Sequence, residues 1–164
     1  MLAWGAGILG VRSSAIAQAP PKLARIGYLA FNSVVVGGDI LTAFREAMRE
    51  LGWIEGQNVV IETQFADGDV DRLPALVEKL LSRDVDVIVV GSSAATRASK
   101  SATKTVPIVM LASADAVGEG FVASLARPGG NITGMTLLAG PEIASKQLEF
   151  LRDIAPEARR VAVL

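Results

Sequence analysis

The chain of 164 residues contains no cysteine and no histidine. Disulfides, thiolate nucleophiles and Cys/His zinc sites are thereby excluded, and so is a Ser-His-Asp triad within the chain. Carboxylate, hydroxyl, lysine and backbone chemistry remain. The absence of cysteine assigns no compartment, although it is compatible with an oxidising one. A dominant charge is missing too: 16 Lys+Arg stand against 17 Asp+Glu, a formal net charge of -1. No run of basic residues reaches four, whereas a nucleic-acid binder ordinarily shows a basic face. Aromatics are sparse at 5%. The opening apolar stretch, Met1 to Val11, is too short for a permanent membrane anchor. Apolar residues are plentiful, at 51% against 20% charged, which suits a globular core rather than a disordered chain. The length suffices for one domain with a real core.

The N-terminus reads as an address. Small apolar residues lead to Ala15-Ile16-Ala17, a small-x-small pattern, so residues 1–17 are expected to be a signal peptide clipped after Ala17. No Lys or Arg precedes the apolar run, and a flexible apolar leader is the alternative. Gly5-Ala6-Gly7-Ile8-Leu9-Gly10 matches G-x-G-x-x-G letter for letter. That motif binds dinucleotides only after a strand and with an acidic residue about twenty positions on. Neither is present, since Ile26 to Phe31 is a neutral apolar run.

Strands and helices alternate along the rest of the chain. Strands are expected at Leu23–Phe31, Asn58–Phe65, Val85–Val90, Pro107–Leu111 and Asn131–Thr136, and a last one at Arg159–Leu164. Continuous apolar runs suit strands covered on both faces, and Val85–Val90, the most apolar, belongs at the centre. Asn32–Gly38 reads as a loop, with Asp39 as N-cap of a helix to Glu50 whose stripe is Ile40, Leu41, Phe44, Ala47, Met48 and Leu51. Gly52 ends it. Further helices are expected at Val70–Ser82, with Pro74 tolerated in the first turn, at Ala94–Thr103, at Gly118–Ala126 stopped by Pro128-Gly129-Gly130, and from Pro141 through Ile154. This order predicts an α/β fold, a doubly wound parallel sheet. Strand order 2-1-3-4-5 is expected by analogy with such folds. A chain that stops in Val161-Ala162-Val163-Leu164 reads as the front part of a longer protein.

Several segments together carry a resemblance. They are Arg25-Ile26-Gly27-Tyr28-Leu29; Phe44-Arg45-Glu46 leading to Leu51-Gly52-Trp53-Ile54-Glu55-Gly56-Gln57-Asn58-Val59; Asp71-Arg72-Leu73-Pro74; and Pro107-Ile108-Val109, followed by the Asp115 loop and Arg127-Pro128-Gly129-Gly130-Asn131-Ile132-Thr133-Gly134. Together they resemble the substrate-binding proteins of ABC transporters, with similarity to the tryptophan and aromatic amino-acid binders. One departure is Ala114-Asp115-Ala116-Val117, where family members often have Gly-Asp-Pro-Val. The resemblance implies a type I periplasmic-binding-protein lobe over 23–136, the start of a second lobe over 141–164, and closure of two lobes on a ligand. It also implies a small-molecule solute and an ABC permease of the inner membrane as partners, no cofactor, and a periplasmic or otherwise exported location.

In an open parallel sheet, ligands bind beyond the carboxyl ends of the strands. Three loops qualify: Phe31-Asn32-Ser33; Gly91-Ser92-Ser93 through Thr96; and Ala112-Ser113-Ala114-Asp115. Thr136, at the end of the fifth strand, lies beside them. The Gly91 loop opens a helix, whose free N–H groups and dipole suit a carboxylate; equally, one serine caps the helix. Asp115 suits a ligand ammonium or the start of the next helix. Phe31, and less so Tyr28, either stack on an aromatic ligand or pack into the core. Asn32 is a loop amide suited to turn formation, and Trp53 to packing beside its helix end. The expectation is a zwitterion with its carboxylate at Ser92-Ser93 and its ammonium near Asp115. Asp67, Asp69 and Asp71 cluster at a helix start, where charge complementarity accounts for them better than calcium. The leading reading is capture of a small solute. A ligand-sensing regulatory domain on the same scaffold is the second, and a doubly wound enzyme the third.

Overall fold

A computed structural model of the chain describes residues 23–137, 142–157, 159 and 160. The expected leader over 1–17 and residues 161–164 of the expected last strand lie outside these.

Strands β1 (Ala24–Ala30), β2 (Val59–Phe65), β3 (Val87–Val90), β4 (Ile108–Ser113) and β5 (Ile132–Thr136) form one sheet in the order β2-β1-β3-β4-β5. Every pairing is parallel. The strand order matches the expectation, and β3 is central. Helix α1 (Val34–Glu50) connects β1 to β2; a 3-10 turn, Val70–Arg72, and α2 (Leu73–Leu81) connect β2 to β3; α3 (Ser93–Ala102) connects β3 to β4. Helix α4 (Glu142–Ile154) follows β5.

β1 shows why both faces are covered. Ile26, Tyr28 and Ala30 pack with Leu41 of α1 and with Val59, Ile61 and Val89. Leu29, on the alternate face, packs with Leu73, Val77 and Leu80 of α2, Ala95 of α3, and Ile88, Val90, Ile108 and Met110. Gly27 shares that second face: a Cβ there would stand 3.2 Å from Leu80 and 3.3 Å from Val85. The α2/α3 face is sealed, whereas on the α1 face Val87, Val109 and Leu111 are only partly buried.

Two expectations are corrected. Of the loop expected over Asn32–Gly38, with Asp39 as N-cap, Val34–Gly38 instead open α1. Ser33 stands extended at the N-cap, and its carbonyl accepts the N–H of Gly37 at 2.8 Å. β-Branched valines and a Gly-Gly pair are poor helix formers, and tertiary contact overrides them. Gly37 is buried against the end of the sheet, with Phe65, Ala30 and Asn32 around its missing Cβ. The second correction concerns Gly118–Ala126, which is not a helix. One turn forms and Gly120 (φ 67) stops it: its N–H bonds Val117 O at 2.9 Å and the Phe121 N–H bonds Ala116 O at 2.8 Å. This is the Schellman pair that ends helices. Phe121 and Val122 then turn into the core.

The acidic cluster is locally satisfied. Asp69 accepts the Asp71 N–H at 2.9 Å, and Asp67 pairs with Arg72 at 2.5 Å. Trp53 stays 42% exposed beside the end of α1, its N–H on Met48 O.

Candidate functional site

The carboxyl ends of β1, β3 and β4 and the starts of α1 and α3 surround a cavity of about 290 Å³. Its apolar lining is Tyr28, Ala30, Phe31, Ile40, Leu111 and Ala112; Asn32, Gly37, Gly91 and Ser92 complete it. Strand geometry sets this up: Tyr28 and Ala30 lie on one face of β1, and Gly37 lets α1 approach that face closely. Val34, Val35, Val36 and Ile40 leave α1 with an exposed apolar lip at the same end of the sheet.

Gly91 and Ser92 bring α3 to this cavity. Ser92 is the N-cap, extended at φ -159, and its Oγ accepts the Ala95 N–H at 3.2 Å. Its carbonyl accepts the N–H and the hydroxyl of Thr96 at 2.9 and 2.8 Å. The N–H groups of Ser93 and Ala94 find no acceptor among the described residues, and no acidic side chain lies in the first turn. A helix start of this kind favours an anion.

The remaining candidates are drawn into a different set of contacts. Ser93 Oγ donates to Glu119 Oε1 at 2.6 Å, accepts the Ala114 N–H at 3.1 Å and lies 3.3 Å from Ser113 Oγ. The other Glu119 oxygen accepts from Arg97 Nη2 at 2.7 Å, and that guanidinium sits 5.5 Å over the Phe121 ring. Asp115 Oδ1 accepts the Gly118 N–H at 2.8 Å, so the side chain caps the single turn. Thr136 Oγ1 accepts the Ala116 N–H at 3.2 Å and approaches the carbonyls of Ser113 and Ala114. Thr96 and Ser113 are 0% and 1% exposed. In this structure their hydroxyls bond within the chain, Thr96 to the Ser92 carbonyl and Ser113 to Ser93.

Phe31, Asn32, Gly91 and Ser92 therefore line one cavity, and Ser33 caps the helix beside it. Ser93, Ser113, Asp115 and Thr136 gather in the neighbouring loops, bonded to their own chain. Among the described residues no group of three or more acidic side chains is placed to hold a metal ion, and no helix is long and apolar enough to cross a membrane.

Residues 35–164 match the family model of the ABC transporter substrate binding proteins. The chain belongs to this family. A tyrosine-binding protein of Clostridioides difficile is 32% identical over 121 residues, which is 74% of this chain and 34% of that protein. The ligand-free, open structure of a substrate binding protein with adhesive properties from Clostridium difficile superposes with a TM-score of 0.67 at 29% identity. It pairs 83% of this chain with 45% of that one. An ABC domain from Streptococcus pneumonia in complex with L-Trp gives a TM-score of 0.67 at 30% identity, over 79% of this chain and 43% of that one. The chain thus spans a third to under a half of the length of these relatives. The five-stranded parallel sheet is the lobe fold these substrate-binding proteins share.

Sequence reasoning on this substrate-binding lobe missed Gly37, Ile40 and Leu111, had Ala112 in its third loop, and left Tyr28 between stacking on a ligand and packing into the core. Tyr28 is 2% exposed, yet it lines the cavity. Burial raises its phenol above the ordinary value. Its sequence signal was a lone tyrosine two residues before the strand end, on an otherwise aliphatic face.

Proposed function

We propose that this lobe forms one wall of a cleft that captures an amino-acid ligand with an apolar or aromatic side chain, for delivery to an ABC permease of the inner membrane. The supporting observation is the cavity itself, where an apolar floor lies beside the Gly91-Ser92 turn that begins α3. A ligand carboxylate suits the amides of Ser93 and Ala94, and a ring or branched chain suits the space between Ile40, Phe31 and Leu111. The exposed valines at the start of α1 suit closure by a second lobe, beginning after residue 141, over an apolar rim. The relatives' named ligands, tyrosine and L-Trp, favour the same class. Capture outside the cytoplasm, behind a cleaved leader over 1–17, fits this role. Ser93 leaves the ligand set on this reading, since its hydroxyl already serves Glu119, and the ammonium loses Asp115 as its partner for the same reason.

The test is a thermal-shift screen of the full-length protein against amino acids, nucleosides, sugars and small carboxylates. A ligand that binds only the folded state stabilises it by about 2.7 kcal/mol at a hundredfold excess over its dissociation constant. The expected outcome is a shift with aromatic or large apolar amino acids. A shift confined to sugars or nucleosides, or silence across the panel, overturns the reading.

A further inference from the structure

Buried polar side chains of this lobe mostly have partners. Thr96 bonds the Ser92 carbonyl, Thr103 accepts from Val106, and Ser113 meets Ser93. Two hydroxyls differ. Ser99 Oγ is fully enclosed with no partner. The hydroxyl of Tyr28 also has none among the described residues, on a side chain that is 2% exposed; but it is not one of the enclosed orphans, and Tyr28 lines the cavity. A tyrosine hydroxyl on a packed side chain ordinarily finds a protein partner, whereas this one is left to the solvent of the cavity.

The surroundings explain why the protein does not supply that partner. Tyr28 packs against the Phe44 ring at 5.7 Å, and its neighbours along the cavity are Ala30, Ile40 and Leu111, none with a polar side chain. Packing alone would be served by phenylalanine at no desolvation cost. The polar groups of the cavity lie elsewhere, at Asn32 and at the Gly91-Ser92 turn that begins α3. The cavity therefore has polar groups at a helix start and one isolated hydroxyl on its strand floor, with apolar wall between.

We infer that Tyr28 is a specificity-determining residue, whose hydroxyl hydrogen-bonds a polar atom on the ligand's apolar body. This rests on the reading of the cavity as an amino-acid site and goes further. The ligand class narrows to side chains that pair a ring or other apolar body with a hydroxyl or N–H. A hydrophobic pocket alone distinguishes poorly between a ring and the same ring bearing a hydroxyl, whereas a pocket with a waiting hydrogen-bond partner rejects the analogue that lacks it.

The experiment uses the full-length protein and two probes that differ by one hydroxyl, L-tyrosine and L-phenylalanine, with dissociation constants measured by calorimetry. The wild type should prefer L-tyrosine by about tenfold or more. Tyr28→Phe should bring the two within about threefold, mainly by weakening L-tyrosine. Cooperative thermal unfolding of the unliganded variant shows that the fold is kept. A purely structural role for the hydroxyl would change both affinities together and leave their ratio alone. Absence of preference in the wild type, binding of neither probe, or a preference that survives Tyr28→Phe overturns the inference. Gly91→Leu separates the two levels: Gly91 lines the cavity and a Cβ there meets nothing within 4 Å, so the substitution adds bulk at the cavity wall. If Gly91→Leu leaves both probes bound, the cavity reading fails and the inference falls with it. If Gly91→Leu removes both and Tyr28→Phe keeps the preference, only the role of Tyr28 fails.

Discussion

At the ends of β1 and β3 the loops leave a cavity between Tyr28, Phe31, Gly91 and Ser92; at the ends of β4 and β5 the loops close on their own side chains. Both regions are rich in hydroxyls and lie on the same sheet edge. The difference is where those hydroxyls spend their hydrogen bonds. Ser92 caps α3 and leaves the amides that follow it unpartnered, whereas Ser93, one residue on, bridges Glu119 and Ala114. A polar loop at a strand end is therefore not by itself a ligand site.

The largest break in that contrast is expected at Gly134. It sits in β5 at φ 133, and a Cβ there would lie 2.1 Å from Met110 O and 2.6 Å from Met110 N. Backbone cannot yield as a flexible side chain can, so Gly134→Ala must separate β5 from β4. A loss of about 3–5 kcal/mol is expected, at the upper end for single substitutions. Denaturant unfolding followed by circular dichroism checks it, and a loss below about 1 kcal/mol would contradict the close β4–β5 approach.

Gly91→Leu is the mirror case in the open half, where an added Cβ meets nothing within 4 Å. Stability should hold within about 1 kcal/mol, while ligand affinity falls by about 10–100-fold, the cost of overfilling a formed site. The pair of glycines thus separates folding from binding, and both measurements belong on the same samples.

Ser93 sharpens the comparison from the closed side. Ser93→Ala removes the hydroxyl from Glu119 and the acceptor from Ala114, for an expected loss of about 1–2 kcal/mol. Ser93→Asp should cost more than Ser93→Ala, because it sets a carboxylate against Glu119. It is consequently a poor probe of ligand repulsion, and Asn32→Ala, at an exposed cavity residue, should by contrast stay within about 0.5 kcal/mol. Equal melting of all three variants would remove the distinction between the two halves.

The positions of the strands were legible as runs bounded by turn residues, and the most apolar, β3, could be set at the centre, whereas the full order of the sheet came by analogy with such folds. The start of α1 was not legible: Val34-Val35-Val36-Gly37-Gly38 carries every local mark of a loop, and only the packing of Gly37 on Phe65 and Ala30 makes it a helix. The single turn after β4 was hidden for the opposite reason. Its glycines lie inside a stretch that otherwise reads as helix, and Gly120 acts before Pro128 does. Position along the sheet edge was correctly read for Phe31, Asn32, Gly91 and Ser92. Whether a hydroxyl is free depends on partners about twenty residues away, such as Ala114 and Glu119 for Ser93, and spacing within one loop carries no such information.

A smaller effect concerns Tyr28, the chain's only tyrosine. Burial raises its phenol above the ordinary 10.0. Between the unfolded and the folded value, the unfolded chain has lost a proton that the folded chain keeps. Stability is full below about pH 10 and falls as pH rises through that window. Urea unfolding across the alkaline range, compared with Tyr28→Phe, isolates this slope, and tyrosinate absorbance reports the ionisation directly. Parallel slopes in the two proteins would mean that the phenol is as well solvated folded as unfolded.

The smallest change is expected at Ser99, where the closed half carries a hydroxyl it does not use. Its Oγ is fully buried without a partner, three residues after Thr96, whose hydroxyl bonds the Ser92 carbonyl. Ser99→Ala removes an unsatisfied polar atom and restores the best helix former, so the variant should be as stable as the parent or more stable by up to about 1 kcal/mol. Thr96→Val, which breaks a made bond, should lose about 1 kcal/mol. Opposite signs from two hydroxyls on one helix would show that partnering, rather than burial, decides what each contributes. A loss at Ser99 comparable to that at Thr96 would mean that its hydroxyl has a bonded state this conformation does not contain.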